Sequence, residues 1–162
     1  MSFIQIYQTD LFENYRPISA LAVVSKIIEK IFHKRLTEFL NNHDLLSKQQ
    51  FGFRSKRSTE LAATLFTDDI RKLVDDKKLV GSVFIDFSKA FDSLSHSKLL
   101  QKLPAYGITG IELQWFSDYM FNRKQIVRFN DQSSEMRSIT CGVPQGSILG
   151  PLLFVIFIII RR

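Results

Sequence analysis

The stretch Val83-Phe84-Ile85-Asp86-Phe87, followed at once by Ser88-Lys89-Ala90-Phe91-Asp92, decides the reading of this chain. Branched and aromatic side chains favour a pleated strand, so Val80 to Phe87 reads as a buried strand. Such a strand has no use for a carboxylate unless something compensates the charge. Desolvating an unpaired carboxylate costs several kcal/mol or more. A divalent cation or a cationic partner at the strand's end removes that penalty. Asp86 is therefore a candidate metal ligand.

At 162 residues the chain is one large domain or part of a larger protein. Hydrophobic residues at 45% and charged residues at 23% place it with ordinary globular proteins, not with disordered ones. Fifteen Phe against one Trp and four Tyr predict an aromatic core. Lys and Arg outnumber the acids 22 to 16, which fits either a polyanionic partner or a solvated basic surface. Cys141 is the single cysteine, so the chain has no internal disulfide and no Cys-based zinc site. This favours a reducing, intracellular compartment, nucleus or cytoplasm, although no nuclear signal stands out. Met1 to Asp10 lacks the basic start and long apolar run of a signal peptide. The greasy run Ile148 to Ile160 is shorter than the roughly 20 residues that span a bilayer, and it contains Gly150 and Pro151. It reads as a buried helix or strand, with no membrane partner.

Apolar spacing predicts a helix from Pro17 to about Asn41, carrying Val24, Ile27, Ile28, Ile31, Phe32, Leu36, Phe39 and Leu40 on one side. Ser58 caps a second helix to about Asp76, and Ser95 a short one through Leu103, with Gly107 as its stop. Thr109-Gly110-Ile111-Glu112 has the pattern of a capping box. Gln125 to Phe129 and Met136 to Thr140 read as two strands joined by a polar turn. Helices precede and interrupt the strands, so the class is α+β, helix-rich with a small antiparallel sheet.

Two further segments carry chemistry. In Cys141-Gly142-Val143-Pro144-Gln145-Gly146-Ser147 two glycines let the backbone approach a ligand, and Gln145 offers both a donor and an acceptor. The plain alternative is a turn before a helix. In Phe51-Gly52-Phe53-Arg54-Ser55-Lys56-Arg57-Ser58-Thr59 three cations stand ahead of a helix N-terminus, which suits phosphate. The plain alternative is a solvated basic turn.

Taken in order, Asn14-Tyr15-Arg16-Pro17-Ile18-Ser19, Gln50-Phe51-Gly52-Phe53-Arg54 with Ser58-Thr59, Phe84-Ile85-Asp86-Phe87-Ser88-Lys89-Ala90-Phe91-Asp92, and Gly142-Val143-Pro144-Gln145-Gly146-Ser147 with Gly150-Pro151 closely resemble the reverse transcriptases of non-LTR (LINE-type) retrotransposons. The resemblance covers about residues 14 to 157. It implies the fingers and partial palm of a right-hand polymerase: a remnant at 1–13, fingers at about 14–79 and palm at about 80–162. The implied activity is template-directed nucleotidyl transfer, with an RNA template, a DNA primer and dNTPs as partners. Two Mg²⁺ ions are the implied cofactors.

Residue by residue, Asp86 matches the first metal-binding aspartate, assisted by the backbone carbonyl of Phe87. Phe91 matches the aromatic gate that crowds a ribose 2′-OH. Arg54 matches the arginine that holds the triphosphate, and Gln145 and Gly146 match the loop beneath the nucleotide. Arg16, Lys56 and Arg57 are candidates for nucleic-acid contact. Asp92 is usual in the family and reads as a structural cap or a supporting acid. His96, Cys141 and the Trp115 to Met120 cluster read as surface or core.

The sequence departs from the family in one respect. No acid follows Glu135, whereas the family supplies its remaining metal ligands from a downstream aromatic-x-Asp-Asp hairpin. The chain therefore reads as a truncated fragment that does not polymerise DNA by itself. The other readings are a non-catalytic nucleic-acid-binding remnant and an inert relic. The sequence does not determine oligomeric state.

Overall fold

A computed structural model describes residues 2–5, 16–129 and 131–159, with side chains from Ile18 onward. The backbone divides into two compact units. One comprises Met1–Leu45 and Lys89–Arg162, the other Leu46–Ser88. Each is described by itself.

In the larger unit β1 (Ser2–Gln5) pairs antiparallel with β2 (Arg16–Ser19), with Ser2 opposite Ser19 and Gln5 opposite Arg16. Helix α1 (Val23–Asn42) follows. It starts later than its sequence pattern predicts, because Pro17 and Ile18 are taken up by β2. Its polarity also departs from the pattern. Leu36 and Leu40 are buried as expected, but Val24, Ile27, Ile28 and Ile31 are exposed, while Glu29 is only 1% exposed.

The smaller unit holds α2 (Thr59–Asp75). Ser58 caps it as its sequence predicts: its Oγ accepts from the Leu61 N–H at 3.1 Å. Its apolar residues Leu61, Leu65, Phe66, Leu73 and Val74 are exposed.

The strand expected at Val80–Phe87 is absent: the segment is irregular and pairs with no strand among the described residues. Phe84 is 81% and Ile85 79% exposed, so the premise of a buried strand around Asp86 is corrected. The reason is physical. A strand satisfies its N–H and C=O groups only through a neighbour, and none is supplied to this one.

Back in the larger unit, Ser95 caps α3 (His96–Lys102) through a 3.4 Å bond from the Lys98 N–H. A 3₁₀ turn (Leu103–Tyr106) then ends at Gly107, whose φ of +85° supplies the left-handed stop. Helix α4 (Gly110–Met120) begins after Thr109, but Thr109 makes no side-chain cap bond. Gly110 adopts φ +60°, outside the helical range that a capping box requires there.

Four two-residue strands replace the predicted pair. They are β3 (Lys124–Gln125), β4 (Arg128–Phe129), β5 (Gln132–Ser133) and β6 (Arg137–Ser138). β3 pairs with β6 and β4 with β5, so the expected polar turn contains a strand of its own. The apolar tail forms α5 (Gly150–Ile158), with Leu152, Leu153, Val155 and Ile156 buried. Leu94, Leu99, Leu103, Phe116, Met120, Val143 and Leu149 are buried in the same unit. No described helix is long and apolar enough to cross a membrane.

α5 has no polar side chain of its own, and side chains from α1, α3 and the 3₁₀ turn satisfy its ends. At its start Glu29 Oε2 accepts from the Ile148 N–H at 2.7 Å and the Leu149 N–H at 3.4 Å. At its end Lys102 Nζ donates to the carbonyl of Phe157, and Tyr106 Oη donates to that of Ile159 at 3.1 Å. An anion at the N-terminus and a cation at the C-terminus both oppose the helix dipole.

Candidate functional site

The loop Gly142–Ser147 is fastened to the segment Phe91–His96 and to β2 by a set of short bonds. The Val143 N–H donates to the carbonyl of Phe91 at 2.9 Å, and the Gly142 N–H to that of Leu94 at 2.7 Å. The Ser19 N–H donates to the carbonyl of Gln145 at 2.9 Å. His96 Nε2 lies 2.7 Å from the carbonyl oxygen of Gly142. A carbonyl only accepts, so this imidazole carries its proton on Nε2. Its Nδ1 is buried with no hydrogen-bond partner.

The side chains complete the lock. Gln145 Nε2 lies 3.1 Å from both carboxyl oxygens of Asp92. A carboxylate accepts, so the amide turns its NH₂ toward Asp92 and its oxygen the other way. Asp92 thus fixes the orientation of the Gln145 amide. Phe91 packs against Phe154 of α5, with ring centroids 5.0 Å apart. Gly142 is required twice over. Its φ is +81°, and a Cβ there would meet Asp92 Cα and O at 2.9 Å. Ser147 Oγ accepts from the Gly150 N–H at 3.1 Å, tying the loop's end to the first residue of α5.

Glu29 reaches this loop from α1. Besides the two N–H groups at the start of α5, its Oε1 accepts from Tyr119 Oη at 2.9 Å. Burial, and then the negative charge of Glu29, push the Tyr119 phenol up to about 12. The Tyr119 ring stacks on Trp115, which stacks in turn on Phe32 of α1. Arg123 lies over the other part of this ladder, 5.1 Å from the Tyr119 ring centroid. The cluster Trp115 to Met120 is therefore more than core filling, which its sequence did not reveal. A signal for Glu29 was present: it stands 7 and 11 residues before Leu36 and Leu40, on the buried stripe of the helix.

Apart from Arg16 of β2, the other predicted site residues lie in the smaller unit. Asp86 and Phe87 are exposed within the irregular 78–87 segment. Phe84 meets Phe66 of α2 edge-on at 5.6 Å. Arg54 is half-buried, and its Nη1 donates to the carbonyl of Ser47 at 2.7 Å. Arg57 donates to the carbonyl of Lys48 and lies 5.1 Å from the Phe51 ring centroid. Both arginines thus hold the 47–57 loop in shape. Phe53 and Lys56 take positive φ in it, at 57° and 59°, and Lys56 is exposed. The Arg16 side chain, and Asn14 and Tyr15, lie outside the described residues. Asp86 is one carboxylate, and among the described residues no group of three or more His, Cys, Asp or Glu could hold a metal ion. The described residues therefore do not build the two-Mg²⁺ site that the resemblance implies.

The sequence matches the family described as reverse transcriptase (RNA-dependent DNA polymerase) over residues 8–159. It is 37% identical over 151 residues to the probable RNA-directed DNA polymerase from transposon BS of Drosophila melanogaster. It is 33% identical over 150 residues to that from transposon X-element of the same fly. To the RNA-directed DNA polymerase from mobile element jockey of Drosophila funebris it is 32% identical over 146 residues. These alignments take in 89 to 90% of this chain but 16% of each relative, so the chain spans about a sixth of their length. On this evidence the chain belongs to the reverse transcriptase family.

Proposed function

We propose that the chain is part of an RNA-directed DNA polymerase acting inside the cell, with fingers at about 14–79 and palm at about 80–162. RNA template, DNA primer and dNTPs are its partners in this reading. The observation that carries it is the family match along nearly the whole chain, including the loop on which Gln145 is oriented. In this reading Gln145 and Gly146 lie beneath the incoming nucleotide, and Phe91, held against Phe154, gates the 2′-OH. The half-buried Arg54 holds the triphosphate, with Lys56, Arg57 and Arg16 toward nucleic acid. Asp86 and the Phe87 carbonyl are ligands that need further carboxylates to hold Mg²⁺. The isolated 162-residue chain accordingly does not extend a primer.

The test is a chimera. Residues 8–159 replace the matching segment of the transposon BS polymerase, and primer extension on RNA is measured. The chimera is expected to polymerise, and Asp86→Ala to lower the rate by at least about a hundredfold, the scale of removing an electrostatic contact to the reacting groups. Equal activity without Asp86 would overturn the assignment.

A further inference from the structure

Beside the Gln145 loop lies a cavity of about 260 Å³, lined by Ser19 and Pro144 of the motifs above but otherwise by residues outside them. Its cationic wall is Arg123, Lys124 and Arg128, from β3, β4 and the residue before them. Its apolar wall includes Ile126, Met136 and Pro144, the last of these being the neighbour of Gln145. No lining residue is acidic. Among the described residues no carboxylate comes within ion-pair distance of the three cations; the ion pairs there are Lys72–Asp69 and Lys78–Asp76.

Surface cations normally sit among acids of the chain or in open solvent. Here three border one concavity, and one of them, Arg123, lies over the Tyr119 ring. The volume lies just below the range of small-molecule sites. Cations beside apolar surface match the two faces of a nucleic-acid strand, with phosphates on one side and bases or sugars on the other.

We propose that Arg123, Lys124 and Arg128 form a binding site for the sugar-phosphate backbone of a single nucleic-acid strand, passing beside Pro144 to the Gln145 loop. The proposal deepens the polymerase reading and rests on it for the strand's role, while the binding itself is tested separately.

The test uses the purified chain and 5′-labelled oligouridylate or oligothymidylate of about 20 nucleotides, followed by fluorescence anisotropy as KCl rises. Lys124→Ala/Arg128→Ala is compared with Lys34→Ala/Lys98→Ala, which makes the same charge change at exposed residues that do not line the cavity. The cavity pair is expected to lose roughly tenfold or more in affinity near 0.1 M salt. Its slope of log K against log salt should shrink by about 1.4, about 0.7 for each lost phosphate contact. The control pair should lose much less. A loss on both oligonucleotides supports a backbone contact common to RNA and DNA, and a loss on RNA alone supports a contact that includes the 2′-OH. Equal losses in the two pairs would overturn the proposal in favour of a diffuse basic surface. So would unchanged binding by the cavity pair, or no binding by the parent chain. In each of these cases the Asp86-dependent chimera result still decides the polymerase reading by itself.

Discussion

Gln145 directs its side-chain NH₂ at both carboxyl oxygens of Asp92, each at 3.1 Å. Hydrogen bonds to a charged acceptor contribute about 1.5–3 kcal/mol. Asp92→Ala and Gln145→Ala should each destabilise the fold by about 1–3 kcal/mol. The double variant should cost less than the sum by about 1 kcal/mol, because the two residues share one interaction. Denaturant titration of the four proteins measures this, and strict additivity would show that the pair is not coupled.

Gly142→Ala should be among the most damaging single-methyl changes in the chain. It forces a left-handed conformation on a residue with a Cβ and drives that atom to 2.9 Å from the Asp92 backbone. The two effects together are expected to cost about 3 kcal/mol. Gly81→Ala is the contrast. A Cβ there meets nothing within 4 Å and the φ is not left-handed, so the change should be neutral or stabilise by about 0.4–1 kcal/mol. Thermal melting of both variants decides it.

The Tyr119 phenol should ionise near pH 12, visible as a late step in absorbance at 295 nm that Tyr119→Phe removes. A phenol whose folded pKa is raised stabilises fully below its unfolded value near 10. That contribution is lost as pH rises from there through about 12. Glu29→Gln should move the late step part of the way down, since burial, the larger cause, remains. A late step that Glu29→Gln leaves in place would show that the carboxylate charge does not act on Tyr119.

Burial holds the His33 imidazole below its ordinary value of 6.5. A histidine depressed in this way binds its proton more readily when unfolded. Its contribution is present above pH 6.5 and is lost as pH falls below that. His33→Gln should therefore flatten the dependence of melting temperature on pH on the acid side of 6.5. An unchanged profile would remove His33 from the acid sensitivity.

The irregular 78–87 segment is exposed and unpaired among the described residues. Limited chymotrypsin digestion should cut first at Phe84 or Phe87, because an extended, accessible backbone fits a protease cleft. First cuts at Phe116 or Tyr106, both buried, would contradict this.

Local signals in the sequence were enough for the caps at Ser58 and Ser95, the left-handed stop at Gly107 and the burial of the apolar tail, though not for its being a helix rather than a strand. Each depends on groups within a few residues of one another, so composition and spacing carry the information. The motifs from Arg54 to Gly146 were equally legible, because family membership is written in residue identity and order.

Tertiary structure alone decided the rest. Asp92 and Gln145 are 53 residues apart, and Glu29 and Ile148 are 119 apart. No local pattern names such a partner. The same limit explains the misread strand around Asp86. Val80 to Phe87 has strand-forming residues, but a strand exists only when another chain segment accepts its hydrogen bonds. Glu29 shows the converse, a charge on the buried stripe of its helix that is tolerated because two N–H groups and a phenol meet it there.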